Sequence, residues 1–434
     1  MEEILAQASK VAEQAEVFRV SSESTPIHFE ANRLKQVQTK ESTSTSLRLI
    51  KGGKIGYAQA NGFIEPETLV NMALETCQFG AKSAFEFPGH TAYPHTDILD
   101  TRIDKITIDE MVDLGERLIA SITKHTPDVL CQASVVKGII SVDIINSRGG
   151  QASYAKSFFE LGLEGVLVKG DDMLFVGDSQ SSCHPILDFK SLAEEITAQL
   201  ELAKRNASIS TKSMPVIFTP LGVASTLMAP ITAAFNGKIV LDGASPLKDK
   251  LGKQIFDKGL SLWDDATLPY QIASYPFDDE GVPGQRTSLI DSGVASHFFY
   301  DLQTAALANT KSTGNGGRQG GLPTPSTSSL VIGKGNVPYH DMVRDIKEGL
   351  VIYMLMGAEQ GNILSGDFSG NVLLGYKVES GEITGRVKNT MVSGNVYQIL
   401  NKLEAIGDEA KWVGGLLQTP HLYCPSLSVA AKAG

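Results

Sequence analysis

Cysteine is scarce in this chain. Four thiols, Cys77, Cys131, Cys183 and Cys424, are scattered over 434 residues with no CxxC pair. Such spacing builds neither a disulfide framework nor a structural zinc knuckle. Basic charge is also short: 38 Lys and Arg stand against 49 Asp and Glu, a formal net charge of −11. That balance argues against direct nucleic-acid binding by phosphate neutralisation and against docking on anionic membranes. No apolar run approaches the roughly 18 residues a membrane-spanning helix needs. The start, Met1-Glu2-Glu3-Ile4-Leu5-Ala6, is acidic where a secretory leader is basic, so the expectation is a cytoplasmic protein.

What is present is enough apolar material for large cores, 42% of residues, and a length fit for about two or three domains. Glycine divides the chain unevenly: 14 fall in residues 1–210 and 28 in residues 211–434. The polar run Asn206 to Ser213 marks the expected boundary. The reading is an N-terminal α+β domain over 1–210 and a glycine-rich, β-rich domain with mixed or antiparallel sheet over 211–434. Strands and helices do not alternate regularly, which makes the class α+β.

Local signals fill in this outline. Glu2 to about Gln14 reads as a helix, followed by strands near Glu16–Val20 and Ile27–Ala31. Gly52-Gly53 between two strand-like runs signals a hairpin, because both turn positions tolerate positive φ. Pro66 starts a helix whose apolar face carries Leu69, Val70, Ala73 and Cys77. Thr107 and Glu110 form a capping box ahead of a second amphipathic helix. Pro220–Phe235 has a helical pattern that Pro230 should kink.

Catalytic patterns are hard to find. His28, His90, His95, His125, His184, His297, His340 and His421 form no HExxH, the spacing that puts two zinc ligands on one helix face. Gly314-Asn315-Gly316-Gly317-Arg318-Gln319-Gly320-Gly321 matches neither a P-loop nor a dinucleotide fingerprint and reads as a mobile loop near another backbone. Ser245-x-x-Lys248 fits a serine-hydrolase pattern, but so does Ser134-x-x-Lys137, and no G-x-S-x-G elbow exists. Cys424, three residues after His421, is either a nucleophile or a buried strand residue. Asp278-Asp279-Glu280 reads as a solvated acidic turn, with cation or basic-peptide binding as the alternative. These residues alone leave the function open.

The order of short motifs resembles one family, the TldD/PmbA proteins, also called modulators of DNA gyrase. The resemblance rests on Ser274 to Pro283, Lys311-Ser312-Thr313-Gly314-Asn315-Gly316, Gly361-Asn362 with Ser365 to Ser369, Gly375 to Ile383, and Val392-Ser393-Gly394-Asn395. Upstream, Arg48 to Ala58 and Asn146 to Gly150 are similar too. The resemblance implies a peptidase system with two branches. The TldD branch is a zinc metallopeptidase with an HExxxH helix and a later Cys; the PmbA or TldE branch is its partner and lacks that motif.

Leu227–Phe235 lies where the zinc helix would be, with Ala229 and Ala234 at the two His positions and Pro230 at the Glu position. Alanine ligates no metal and proline is no base. Cys424 corresponds to the later Cys. The resemblance therefore implies a PmbA/TldE-like subunit with no zinc or other cofactor of its own, the zinc residing in a TldD-like catalytic partner. A homo- or heterodimer and a peptide or unfolded protein segment as ligand are the expected partners. Ser312, Thr313, Gly314, Asn315 and Gly316, with Asp278 and Glu280, are the expected peptide-contacting residues, exposed loop backbone pairing with an extended peptide. Alternatives are a stand-alone hydrolase using Cys424 or the Asp278–Glu280 carboxylates, and a non-enzymatic peptide-binding protein.

Overall fold

The structure is a computed structural model describing residues 1–431. The first sheet has seven antiparallel strands: β1 (Gln14–Glu30), β2 (Arg33–Val37), β3 (Lys40–Lys51), β4 (Lys54–Asn61), β5 (Leu130–Asn146), β6 (Gln151–Lys169) and β7 (Asp172–Ser182). Their order is β4-β3-β1-β5-β6-β7, with β2 hanging off the far end of β1. The second sheet has eleven strands drawn from residues 212–431 and mixes both directions. In it, Lys212–Phe218 runs parallel to Glu348–Met356 and antiparallel to Leu417–Ala431. Helices segregate from strands, and the class is α+β. No helix among the described residues is long and apolar enough to cross a membrane.

Local chemistry accounts for most elements. Gly52 and Gly53 adopt φ of +57° and +70° and close the β3–β4 hairpin, with Lys51 opposite Lys54. The helix Ile108–His125 opens on a complete capping box: Glu110 N–H donates to the Thr107 hydroxyl, and the Glu110 carboxylate accepts from Thr107 N–H at 2.7 Å. Its apolar face, including Met111, Leu118 and Ile122, packs on one face of the first sheet beside the helix Lys190–Leu202. Tyr376 of the second sheet enters that same core and donates its hydroxyl to Gln199 O at 2.8 Å.

Three expectations change. The N-terminal helix covers only Glu2–Ala8, because Gln14 already pairs with Ile50 in the β1–β3 ladder. The two early strands are one, since the polar stretch Ser21–Ser24 remains paired with β3 on one side and β5 on the other. A serine-rich stretch inside a sheet marks partial exposure here, not a turn. The helical pattern of Pro220–Phe235 splits at Leu227 into Pro220–Thr226 and Met228–Phe235. Pro230 has no N–H for Thr226 O, and the break leaves it in the first turn of a new helix, where none is required.

The capping box gives a direct check. Thr107→Ala should lower the stability of the chain by about 1 kcal/mol, read as a shifted urea midpoint with unchanged slope.

Candidate functional site

A buried charge cluster joins the two sheets. Glu16 and Arg48 stand opposite each other in the β1–β3 register, and both side chains are sequestered from solvent. Arg48 donates to Glu16 at 3.1 Å and to Glu280, from the second part of the chain, at 2.5 Å. Its guanidinium lies over the rings of Phe85 and Phe87, 4.8 and 4.9 Å from their centroids, and the two rings meet edge to face beneath it. Arg318, also from the second part, pairs with Glu16 from the other side and covers the Phe18 ring at 4.7 Å. Burial opposes the charge on Arg48, but Glu16 and Glu280 together outweigh it and hold its pKa above the ordinary range.

The residues expected to meet a peptide are built around this cluster. Asp278 is buried, and its carboxylate accepts from the backbone N–H of Glu280, Val282 and Gly316 at 2.7–2.9 Å. Burial and the neighbouring Glu280 charge push its pKa well above the ordinary carboxylate range. Glu280 is fully buried and accepts from Leu302 N–H at 2.7 Å as well as from Arg48. The Asp278–Glu280 segment is therefore an interior turn, and the expectation of a solvated one is corrected.

The glycine loop is equally committed. Ser312 and Thr313 hydroxyls donate to Tyr300 O and Asn315 Oδ1, at 3.1 and 2.7 Å. Asn315 donates to Asp264 and to Ser326 O, at 2.7 and 2.9 Å. Gly314 and Gly316 are buried, and Gly316–Gly317 is already paired with Thr324–Pro325. A Cβ on Gly316 would sit 2.5 Å from the Glu280 carboxylate, so the close approach explains the glycine. The expected mobile loop with free backbone is thus corrected for Gly314–Gly317: the N–H and C=O of Gly314 and Gly316 and the Asn315 carbonyl are all bonded inside the molecule.

The helix Met228–Phe235 offers no catalytic group. Ala229 is exposed, while Pro230 and Ala234 are buried. The carbonyls of Pro230 and Ala234 accept from Tyr397 Oη and Ser245 Oγ. Zinc takes imidazole, thiolate or carboxylate, and these side chains supply none, so the residues present on this helix do not fit the metal. Among the described residues, no three His, Cys, Asp or Glu gather as a metal-ligand set. Cys424 is buried opposite Val216, and burial pushes its thiol far above the usual range. His421 points away from it, stacking on Tyr339 at 4.3 Å. Burial lowers the His421 pKa to about 4. Ser245 caps a turn by donating to Ala234 O at 2.6 Å, and Lys137 donates to Ile103 O and Ile106 O.

One cleft of 660 Å³ lies between the far end of the first sheet and the second part of the chain. Its wall on the first sheet includes His28, Ser134, Gly162, Glu164 and Ser179; Leu221, Met354 and Val413 face them from the second part. Sequence reasoning missed both this cleft and the charge cluster. The cluster had a signal: Arg48 interrupts the apolar run Leu47, Leu49, Ile50, and Glu16 sits between Ala15 and Val17. A charge embedded in an apolar strand needs a buried partner. The cleft had no such signal, because its residues come together only through strand register.

Two measurements test the cluster. Arg48→Met leaves the buried Glu280 carboxylate without a cation and Glu16 with Arg318 alone, and should cost about 3–5 kcal/mol in denaturant unfolding. The second is pH dependence. Burial raises both Asp264 and Asp301 from 3.8 to about 6, with the Glu280 charge adding to the shift at Asp301. Between these values the folded chain binds more protons than the unfolded one, so their contribution to stability falls as pH rises from about 4 to about 6. Asp264→Asn should flatten that slope, as measured by unfolding across the window.

Comparison with known proteins gives a consistent result. The family model described as the PmbA/TldA metallopeptidase C-terminal domain matches residues 211–431, and that of PmbA/TldA metallopeptidase domain 1 matches residues 15–77. An uncharacterised protein of Methanocaldococcus jannaschii is 26% identical over 420 residues, covering 94% of this chain and 95% of its own. A metalloprotease of Methanothermobacter thermautotrophicus is 23% identical over 414 residues, 92% and 88% of the two chains. The fold is that of the crystal structure of TldE from Thermococcus kodakarensis, with a TM-score of 0.91 at 23% identity over 99% of this chain and 100% of that one.

Proposed function

Because the chain belongs to the PmbA/TldD metallopeptidase family, we propose that it is the PmbA/TldE-like subunit of a two-subunit peptidase. It completes a peptide-binding cleft for a TldD-like partner and contributes no zinc of its own. The observation that carries this reading is the helix Met228–Phe235. In the position that resembles a zinc helix it presents Ala229, Pro230 and Ala234, none of which ligates a metal or accepts a proton.

Two features support the reading. The burial of Cys424, Asp278 and Glu280 disfavours a stand-alone hydrolase built on them. A thiol raised so far is protonated at neutral pH and is a poor nucleophile. The carboxylates of Asp278 and Glu280 already serve backbone donors and Arg48. On this reading Ser312–Gly316, Asp278 and Glu280 act as the frame that fixes the second part of the chain against the first, and the open cleft beside Leu221 is where a peptide enters. The helix carrying Leu221 runs directly into Met228–Phe235.

The test is co-expression with a TldD-like subunit from the same source. The purified chain alone should contain far less than one zinc per molecule, since an apparent binding energy of about 10–16 kcal/mol would retain a real site through purification. Alone it should leave an unfolded protein substrate intact; the co-purified pair should digest it. Stoichiometric zinc together with proteolysis by the chain alone would overturn the proposal.

A further inference from the structure

We infer that the cleft between the sheets selects an extended peptide segment carrying a basic side chain, with Glu164 as the residue that recognises the charge. This rests on the reading of the chain as a peptide-binding subunit and adds what kind of segment it prefers.

The shape argument comes from strand register. His28 is opposite Ser134, Ser134 opposite Gly162, and Gly162 opposite Ser179, so these four form one row across β1, β5, β6 and β7. Three of the four have small side chains or none. Flanked by larger neighbours, the row is a trough running across the strands. Adjacent strands are about 4.8 Å apart, so three spacings make a floor about 14 Å long, room for roughly four extended residues. The roof of Leu221, Met354 and Val413 is apolar and faces this floor. A long, narrow, half-apolar trough suits an extended chain better than a compact metabolite.

The charge argument comes from the next row, where Gln132 is opposite Glu164 and Glu164 opposite Gly177. Gly177 has no side chain to cover the carboxylate, and Glu164 is exposed. Among the described residues it has no ion-pair partner. The nearby cations are spoken for: Lys35 pairs with Glu30 at 3.2 Å, and Lys411, beyond the Val413 end, pairs with Glu195 at 2.5 Å. The unpaired charge of the trough is therefore negative. A lysine or arginine side chain, lying along the small-residue floor, would reach Glu164 while its aliphatic stem covers Gly162 and Gly177.

The test is direct binding to the full chain. The probe is a fluorescein-labelled peptide of alternating serine and arginine, about ten residues long so that it exceeds the trough; its counterpart alternates serine and glutamate. Anisotropy titration at low salt should give at least about tenfold tighter binding of the basic peptide. Glu164→Lys should erase most of that preference. Glu67→Lys, the same charge change on a distant helix, should keep it, which separates recognition from attraction by the overall −11 charge. Ser134→Trp, filling the trough, should abolish binding of the basic peptide, with circular dichroism and melting temperature checking that the fold is retained. Equal affinity for the two peptides, or an unchanged preference in Glu164→Lys, would overturn the inference. Co-purification of Glu164→Lys with the TldD-like subunit separates the two proposals: a pair that forms without charge preference refutes this one alone, and a pair that never forms refutes the subunit reading.

Discussion

Everything in this molecule is organised around a guanidinium that has no access to water. Arg48 cannot lose its proton at any ordinary pH, and taking it out of water is costly unless anions come with it. Glu16 is its cross-strand neighbour, but one carboxylate with a second guanidinium beside it does not complete the arrangement. Glu280 does, and it arrives from a loop more than two hundred positions away in the chain. The first sheet is therefore electrostatically incomplete without the second part of the chain. The turn that carries Glu280 is in turn fixed by Asp278, and Asp278 fixes Gly316. A single buried charge thus determines where the glycine loop must run and why glycine is needed there.

This arrangement explains what could be seen in the sequence and what could not. The β3–β4 hairpin, the capping box and the apolar face of Pro66–Cys77 depend on neighbours a few residues away, and each is visible in the pattern. So is the break near Pro230, though the chain splits three residues earlier than the ring itself. Asp278 and Glu280 misled because polarity was taken for exposure. Three carboxylates in a row look solvated until their partners are known, and those partners, Arg48, Leu302 N–H and Gly316 N–H, are remote in sequence. The segment Ser312–Gly316 reads as an exposed loop for the same reason. The motifs that carry the family resemblance, Ser274–Pro283 and Lys311–Gly316, meet in the interior as a structural joint, so their resemblance reflects the demands of the fold as much as those of a ligand.

The separation of joint from cleft has a mechanistic side. The first sheet contacts the second part of the chain in two different ways. Toward one end, Phe18, Val142 and Ile144 pack on Phe277 in a buried apolar contact beside the charge cluster. Toward the other, the row His28–Ser134–Gly162–Ser179 leaves a gap that side chains do not fill. Rigid closure at one end and an open trough at the other are what a binding surface needs to be preorganised, since the walls are positioned before a ligand arrives.

The place of Lys212–Phe218 in the second sheet also bears on how the chain is made. The first sheet is complete once Ser182 has emerged from the ribosome. The strand Lys212–Phe218 follows soon after, yet the segments that flank it in the finished sheet, Leu350–Ile352 and Leu422–Val429, come much later. Until synthesis passes Ile352 this apolar strand has two unsatisfied edges, and one stays open until Val429, the condition under which nascent chains mispair or aggregate. The backbone ladder of the first sheet is complete before Lys212 is made, and the vulnerable interval of biogenesis belongs to one short strand waiting for both of its neighbours.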